Sequence, residues 1–325
     1  MPDCLAFVRL DDNALNCEHG MLPNGELPVS LYEPMTMLGH FALPTKEDVP
    51  VEVIRAKHAG VCYGVERALD MANAAMLDDE DTYTLGPLIH NPKVVEELDA
   101  NGVHVAASPE DVQEGIVIIR SHGVEPDVLA TLRERGLTVI DATCPHVAKA
   151  QRSAAQLRDM GGTVVVVGRA DHPEVLGLCG HAGERAVVVA NADELPDELV
   201  EPVGVVVQTT QSTEKLESVV EAIRARGIEP TVKNTICFAT RQRQESAARL
   251  AGEVDAIVIV GGKNSSNTTH LYEICKAHCP KSHFVEGADE LDASWFEGCK
   301  TVGVTAGAST PADQIQEVVE CLEAM

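Results

Sequence analysis

From residue 51 onward the chain alternates short apolar runs with stretches of helical period, and this alternation restricts the fold more than any other feature. The runs are Val51–Ile54, Ile116–Ile119, Leu137–Ile140, Thr163–Val167, Ala186–Val189, Val203–Val207, Ala256–Val260 and Thr301–Val304. A run that is mostly apolar, rather than apolar at every second position, suits a strand covered on both faces. A parallel sheet between helices provides that burial. The helical stretches between the runs include Val65–Met76, Pro126–Arg135, Val147–Met160 and Thr213–Arg226. The expected class is α/β with mostly parallel sheets, and a ligand site is expected in the loops at the carboxyl ends of the strands.

The chain has 325 residues, more than one small core needs, so two or three compact units are expected. An apolar fraction of 45% excludes wholesale disorder. The net charge of −26 argues against nucleic acid or an anionic membrane as the main partner. No apolar run is long enough to span a bilayer, and Met1–Leu10 lacks the pattern of a secretory signal. A cytoplasmic location is therefore expected. In a reducing compartment the ten cysteines are free thiols or metal ligands rather than a disulfide framework. Residues 1–50 show no clear period and carry two basic and eight acidic residues; they read as a partly disordered N-terminal extension.

Three cysteines stand apart from the other seven. Cys62 in AGVCYGV, Cys144 in DATCP and Cys237 in NTICFAT each fall between a β-like run and a helix, 82 and 93 residues apart. Three similar units, over 51–143, 144–236 and 237–325, would each deliver one cysteine to a common centre. A thiolate at a helix start is favoured by the free N–H groups and the helix dipole. Three such thiolates suit an iron–sulfur cluster with one iron left open; three unrelated junction cysteines are the competing reading. Cys275 and Cys279, one helical turn apart beside His278, read as packing residues, as do Cys179, Cys299 and Cys321.

His90, His122 and His172 also follow strand-like runs, where imidazoles can bind phosphate or move protons. Glu174 becomes a proton donor if its site is desolvated, and is otherwise a first-turn glutamate that complements a helix dipole. Gly261–Asn267 offers backbone N–H groups, Ser265, Ser266 and Asn267 at a helix start, a natural phosphate cradle without the Walker order. Thr305–Pro311 repeats that context, with Ser309 or Thr310 as a helix cap or an anion ligand. Gln208-Thr209-Thr210 completes the set. Together these groups describe a site for a small phosphorylated molecule, built from hydroxyls, amides, imidazoles and helix ends.

The segments GVCYGVERA, IHNPKVV, SHGV, DATCP, HPEV, QTT, CFATRQRQ, GGKNSSN and TAGAST occur in this order. On these the chain resembles, from about residue 52 to its end, the LytB/IspH family of 4-hydroxy-3-methylbut-2-enyl diphosphate reductases. The resemblance implies three α/β units in a pseudo-threefold trefoil around one 4Fe-4S cluster, with Cys62, Cys144 and Cys237 as its three ligands. It implies that the hydroxyl of the allylic diphosphate binds the fourth iron and leaves as water, with two electrons supplied by a donor such as ferredoxin or flavodoxin. Glu174 matches the proton-delivery position and Thr209 its hydroxyl partner, with His172 beside the reacting carbon or phosphate. His90, His122, Ser265, Asn267 and Ser309 match diphosphate positions, with Ser266 adjacent. The chain departs from the family in its first fifty residues and in Asp171, where glycine is common; Asp171 is expected to point away from the site.

A non-catalytic iron–sulfur sensor would use the same three cysteines without needing Glu174 or the cradle. Basic residues follow each of these cysteines: Arg67, then Lys149 and Arg152, then Arg241 and Arg243. In so acidic a chain they mark an expected docking face for an acidic electron carrier.

Overall fold

The computed structural model of the chain describes residues 51–78 and 80–325. The expectation for residues 1–50 lies outside the described residues. The chain enters through β1 (Glu52–Arg55) and α1 (Tyr63–Ala75). It continues through β2 (Thr82–Leu85), α2 (Pro92–Ala100), β3 (Val103–Ala106), β4 (Ile116–Ile119), α3 (Pro126–Glu134) and β5 (Thr138–Asp141). Next come α4 (Pro145–Arg158), β6 (Val164–Val167), α5 (Pro173–Ala182), β7 (Ala186–Val189), β8 (Gly204–Val207), α6 (Thr213–Ala225) and β9 (Thr231–Lys233). The last stretch holds α7 (Phe238–Ala251), β10 (Ala256–Val260), α8 (Ser266–His278), β11 (Ser282–Val285), β12 (Thr301–Ala306) and α9 (Ala312–Glu323).

These strands form three four-stranded sheets with one shared order: β3-β2-β4-β5, β7-β6-β8-β9 and β11-β10-β12-β1. All pairings are parallel. Interior strands explain the continuous apolar runs, because every residue of β4, β6, β8 and β10 is buried. Ile118 is fully buried between α1 and the first of these sheets; Ile118→Ala would cost about 2–5 kcal/mol.

The third sheet corrects the first of the expected unit boundaries. The sequence places Val51–Ile54 in the first unit, yet β1 pairs with β12, from Glu52 against Thr301 to Arg55 against Val304. Among the described residues, β12 is followed by α9 and by no further strand. β1 fills the fourth place in this sheet, and Val51 and Val53 pack with Val302, Val304 and Ile315. Helix α1 belongs elsewhere: Val65, Ala68, Ala72 and Ala75 lie at helical spacing and pack onto Ile116 and Ile118 of β4. The chain therefore crosses from the third unit to the first at Cys62.

Four strands escape the sequence reading. β3, β9 and β11 are edge strands with exposed or half-buried positions, so their apolar signal is diluted. β2 is interior but reads Thr-Tyr-Thr-Leu, with Thr82 and Thr84 buried. Among the described residues no helix is long and apolar enough to cross a membrane.

Candidate functional site

The shared strand order puts each of the three cysteines just after the fourth strand of a sheet and just before a helix. Cys62, Cys144 and Cys237 are the N-cap residues of α1, α4 and α7, and none uses its side chain as a cap. Their N–H groups donate in equivalent ways: Cys62 to Ala308 O at 3.1 Å, Cys144 to Ser121 O at 2.9 Å, Cys237 to Thr209 O at 2.9 Å. Each acceptor lies two residues beyond the third strand of that sheet. All three cysteines line one cavity.

Burial pushes the Cys144 thiol up, against the opposing pull of N–H groups from His146 and Val147; the nearby Cys62 and Cys237 raise it further. Two glycines make the approach possible. Gly60 has φ +86°, and a Cβ there would sit 2.9 Å from Ile315 Cδ1. A Cβ on Gly64 would stand 2.4 Å from Cys144 Sγ. Arg243 of α7, buried, donates through Nε (3.2 Å) and Nη2 (2.6 Å) to Gly60 O and fixes the turn that carries Cys62. This corrects its expected place on a docking face: Arg243 lines the cavity. The remaining described cysteines lie outside the cavity. Cys275 and Cys279 are buried, and burial pushes the Cys275 thiol up to about 12, as packing residues require.

Glu174 lies in the first turn of α5 with its side chain buried. Its two oxygens accept from one residue: Oε1 from Thr209 N–H at 2.6 Å and Oε2 from Thr209 Oγ1 at 2.8 Å. Burial raises its pKa to about 7, and the two donors from Thr209 hold it from going higher. The carboxyl therefore exchanges its proton near neutral pH.

His90, His122 and His172 meet on another wall. Their ring centroids are 4.2 Å apart for His90 and His122, 5.1 Å for His90 and His172, and 5.6 Å for His122 and His172. His172 caps α5, its Nδ1 accepting from Glu174 N–H at 3.1 Å, so its proton sits on Nε2. That nitrogen is 3.2 Å from His90 Nε2, which must then accept, and the His90 proton goes to Nδ1. Burial, with Arg120 and Arg169 behind, pushes His90 down to about 4. Burial and the neighbouring His90 push His172 down to about 3. His122 is held well below the usual range, first by burial. The wall is neutral at neutral pH.

The cradle residues gather beside it. Ser265 is the N-cap of α8, its Oγ accepting from Thr268 N–H at 3.3 Å. Ser266 and Asn267 follow, while Lys263 turns away and pairs with Glu290 at 2.7 Å. Ser309 donates from Oγ to His90 O at 2.9 Å. Ser309 and Thr310 do not cap α9, because Pro311 occupies that position and the Thr310 hydroxyl donates to Val260 O at 3.1 Å. His90 Nδ1, His122 Nδ1, Ser266 Oγ and both amide atoms of Asn267 are buried without a partner in the protein, and all belong to cavity-lining residues. Native proteins rarely leave buried polar atoms unpaired, so these atoms are free to bind a ligand that enters the cavity.

The three cysteines, the three histidines, Glu174, Thr209, Ser265, Ser266, Asn267 and Ser309 all line one cavity, whereas Gln208 and Thr310 do not. Asn91 is a supporting residue that was missed. Its Nδ2 donates to Ser309 O and Gln314 Oε1, both at 2.9 Å, tying the first unit to the third. Asn before Pro92 is a helix-cap signal, which hides the second role. Asp171 does point outward: it is exposed and binds Arg169 through two contacts, 3.1 Å and 3.0 Å.

Comparison with known proteins points to one family. Residues 53–323 match the model of the LytB protein family. A 4-hydroxy-3-methylbut-2-enyl diphosphate reductase of Geobacter sulfurreducens is 49% identical over 276 residues, covering 84% of this chain and 97% of that protein. The reductase of Pelobacter propionicus is 48% identical over 272 residues, covering 83% and 96%. A solved structure described as (E)-4-hydroxy-3-methyl-but-2-enyl diphosphate reductase, the terminal enzyme of the non-mevalonate pathway, matches with TM-score 0.62. It is 43% identical, covering 85% of this chain and 100% of that one. A solved structure described as the E-1-hydroxy-2-methyl-but-2-enyl-4-diphosphate reductase from Plasmodium falciparum matches with TM-score 0.78 at 25% identity, covering 83% and 87%. With nearly all of its described residues matched by the family model, this chain belongs to the LytB protein family.

Proposed function

We propose that the chain removes the allylic hydroxyl of 4-hydroxy-3-methylbut-2-enyl diphosphate as water. Two electrons and two protons are consumed, and isopentenyl and dimethylallyl diphosphate are the products. The observation that carries this reading is the meeting, in one cavity, of three thiols with a buried carboxyl whose pKa is near 7.

The residues present fit an iron–sulfur cluster. Cys62, Cys144 and Cys237 reach one cavity from three helix starts, and Gly64 leaves the space beside Cys144 Sγ that a Cβ would fill. When bound, a 4Fe-4S cluster on three cysteines supplies electrons singly and an open iron that polarises the hydroxyl as a Lewis acid. The protein does the rest. Ser265, Ser266, Asn267 and Ser309 offer hydroxyls and an amide to the diphosphate, with His90 Nδ1–H as a fixed donor among them. Binding energy gained there positions the far end of the substrate at the thiols. Glu174 is protonated below about pH 7; Oε2–H then donates to the Thr209 hydroxyl, reversing the bond of the carboxylate form, and the hydroxyl can pass its own proton on. Val65, Ile89 and Val147 give the cavity apolar wall that keeps water from the reacting carbon. The electrons come from a small carrier such as ferredoxin or flavodoxin.

The test is anaerobic purification followed by addition of the allylic diphosphate and dithionite with a viologen mediator. Consumption of substrate and appearance of both C5 diphosphates is the expected result. An intact cluster absorption with no consumption would reject the reading.

A further inference from the structure

The proposed reaction draws its two electrons from outside, so a donor must come close to the thiols. Seven aromatic residues of the Phe, Tyr and Trp type lie among the described residues, and two of them are strongly exposed: Tyr63 at 66% and Phe238 at 61%. Each directly follows one of the three cavity cysteines. The residues after Cys144, Pro145 and His146, are exposed as well, and His146 also lines the cavity. Arg241, exposed one turn further along α7, lies over the Phe238 ring at 5.9 Å. Because the three helices start from one centre, their first residues surround it. Each lies one residue, about 3.8 Å of backbone, from its cysteine. In a chain so poor in aromatic residues, exposing two of them at these positions has a cost in solvation that the fold itself does not require.

The charge here departs from that of the whole chain. The first two turns of α1, α4 and α7 hold five basic residues, Arg67, Lys149, Arg152, Arg241 and Arg243, against three acidic ones, Glu66, Asp70 and Glu245. Arg243 is turned inward, and Arg67 is half-buried, reaching Thr143 O at 3.3 Å. Lys149, Arg152 and Arg241 are exposed. The chain as a whole carries −26. Against the exposed Glu66, Asp70 and Glu245, these exposed basic residues leave the patch close to neutral, so an acidic partner is repelled less here than by the chain as a whole, and exposed aromatics with arginine are the side chains that anchor interfaces.

We infer that the surface around Tyr63, His146 and Phe238, with Lys149, Arg152 and Arg241, is the docking site of a small acidic electron-transfer protein. This rests on the proposed reductase activity. The carrier gives one electron per encounter, so two encounters serve each substrate and each oxidises one carrier. Tyr63 and Phe238 make the apolar contact, and the basic residues steer the approach.

The test compares two reductants on the anaerobic holoenzyme: dithionite, which needs no docking, and a plant-type 2Fe-2S ferredoxin as the acidic probe. Tyr63→Ser with Phe238→Ser, and separately Arg241→Glu with Lys149→Glu, should keep dithionite-driven turnover within about twofold. Ferredoxin-driven kcat/KM should fall by at least about tenfold, the scale of losing one anchor residue. Binding of oxidised ferredoxin, followed by sedimentation, should weaken in parallel, and the charge-reversed variant should lose the salt dependence of the wild type. Equal ferredoxin-driven rates and unchanged ferredoxin binding in the variants would overturn the docking site. A concentration-dependent dimer abolished by Tyr63→Ser with Phe238→Ser would also overturn it, by assigning the patch to a second copy. Absence of dithionite-driven turnover in the wild type would instead reject the reductase reading itself.

Discussion

Thr209 serves both oxygens of Glu174, through its N–H at 2.6 Å and its hydroxyl at 2.8 Å, although 35 residues separate them. The carboxyl is thereby oriented, and its burial raises the pKa to about 7 without leaving the anion unsolvated. Glu174→Gln should keep the fold and the cluster spectrum while turnover falls by about 10²–10⁴, the usual contribution of a positioned general acid. Turnover of the wild type should fall as pH rises above about 7, where Glu174 loses its proton. In Thr209→Val one donor to the carboxylate is lost, so the alkaline limb should move to higher pH. A kcat profile against pH for the three proteins checks both statements.

The histidine wall makes the fold sensitive to acid. His90 and His172 are held at about 4 and about 3, below their unfolded value of 6.5, so folding favours the neutral rings. Their contribution is present above pH 6.5 and is lost as pH falls from there toward 3. Glu174 acts in the opposite sense, since its raised pKa favours the protonated form and its contribution is lost between pH 4.5 and 7. His90→Asn with His172→Asn should flatten the loss of stability between pH 6.5 and 4. Urea unfolding at a series of pH values measures this directly.

Gly64 stands where any side chain meets a proposed ligand. In Gly64→Ala the new methyl group would press on Cys144 Sγ at 2.4 Å, with Cys144 Cβ at 3.2 Å behind it. The protein should fold with an unchanged circular dichroism spectrum yet hold less than half the iron of the wild type after anaerobic reconstitution. Iron analysis and visible absorption give the answer.

Arg243→Met removes both donors from Gly60 O and leaves that carbonyl unpaired. The expected cost is about 1–3 kcal/mol, the scale of an unsatisfied buried acceptor, with lower retention of iron because Cys62 follows that turn. Denaturant unfolding and iron content should change together. Asp171→Gly, by contrast, removes an exposed partner of Arg169 and should leave the thermal midpoint unmoved.

The sequence by itself determined the α/β class, because only strands covered on both faces need runs such as Val164–Val167. It also singled out the three cysteines, since their strand-to-helix context repeats locally, and the nine short segments in order carried the family resemblance. What depended on distant partners was not legible. The pairing of β1 with β12 joins residues some 250 positions apart and moves the first strand out of the unit that follows it. Arg243 reads as one more basic helix residue until the fold buries it against Gly60, and Asn91 as a simple cap until Ser309 and Gln314 arrive beside it. Local pattern fixes which face of an element is apolar; the tertiary structure alone decides which polar groups lose water together. That loss brings Glu174 to neutral pH, keeps the histidines uncharged, and turns scattered hydroxyls and thiols into one site.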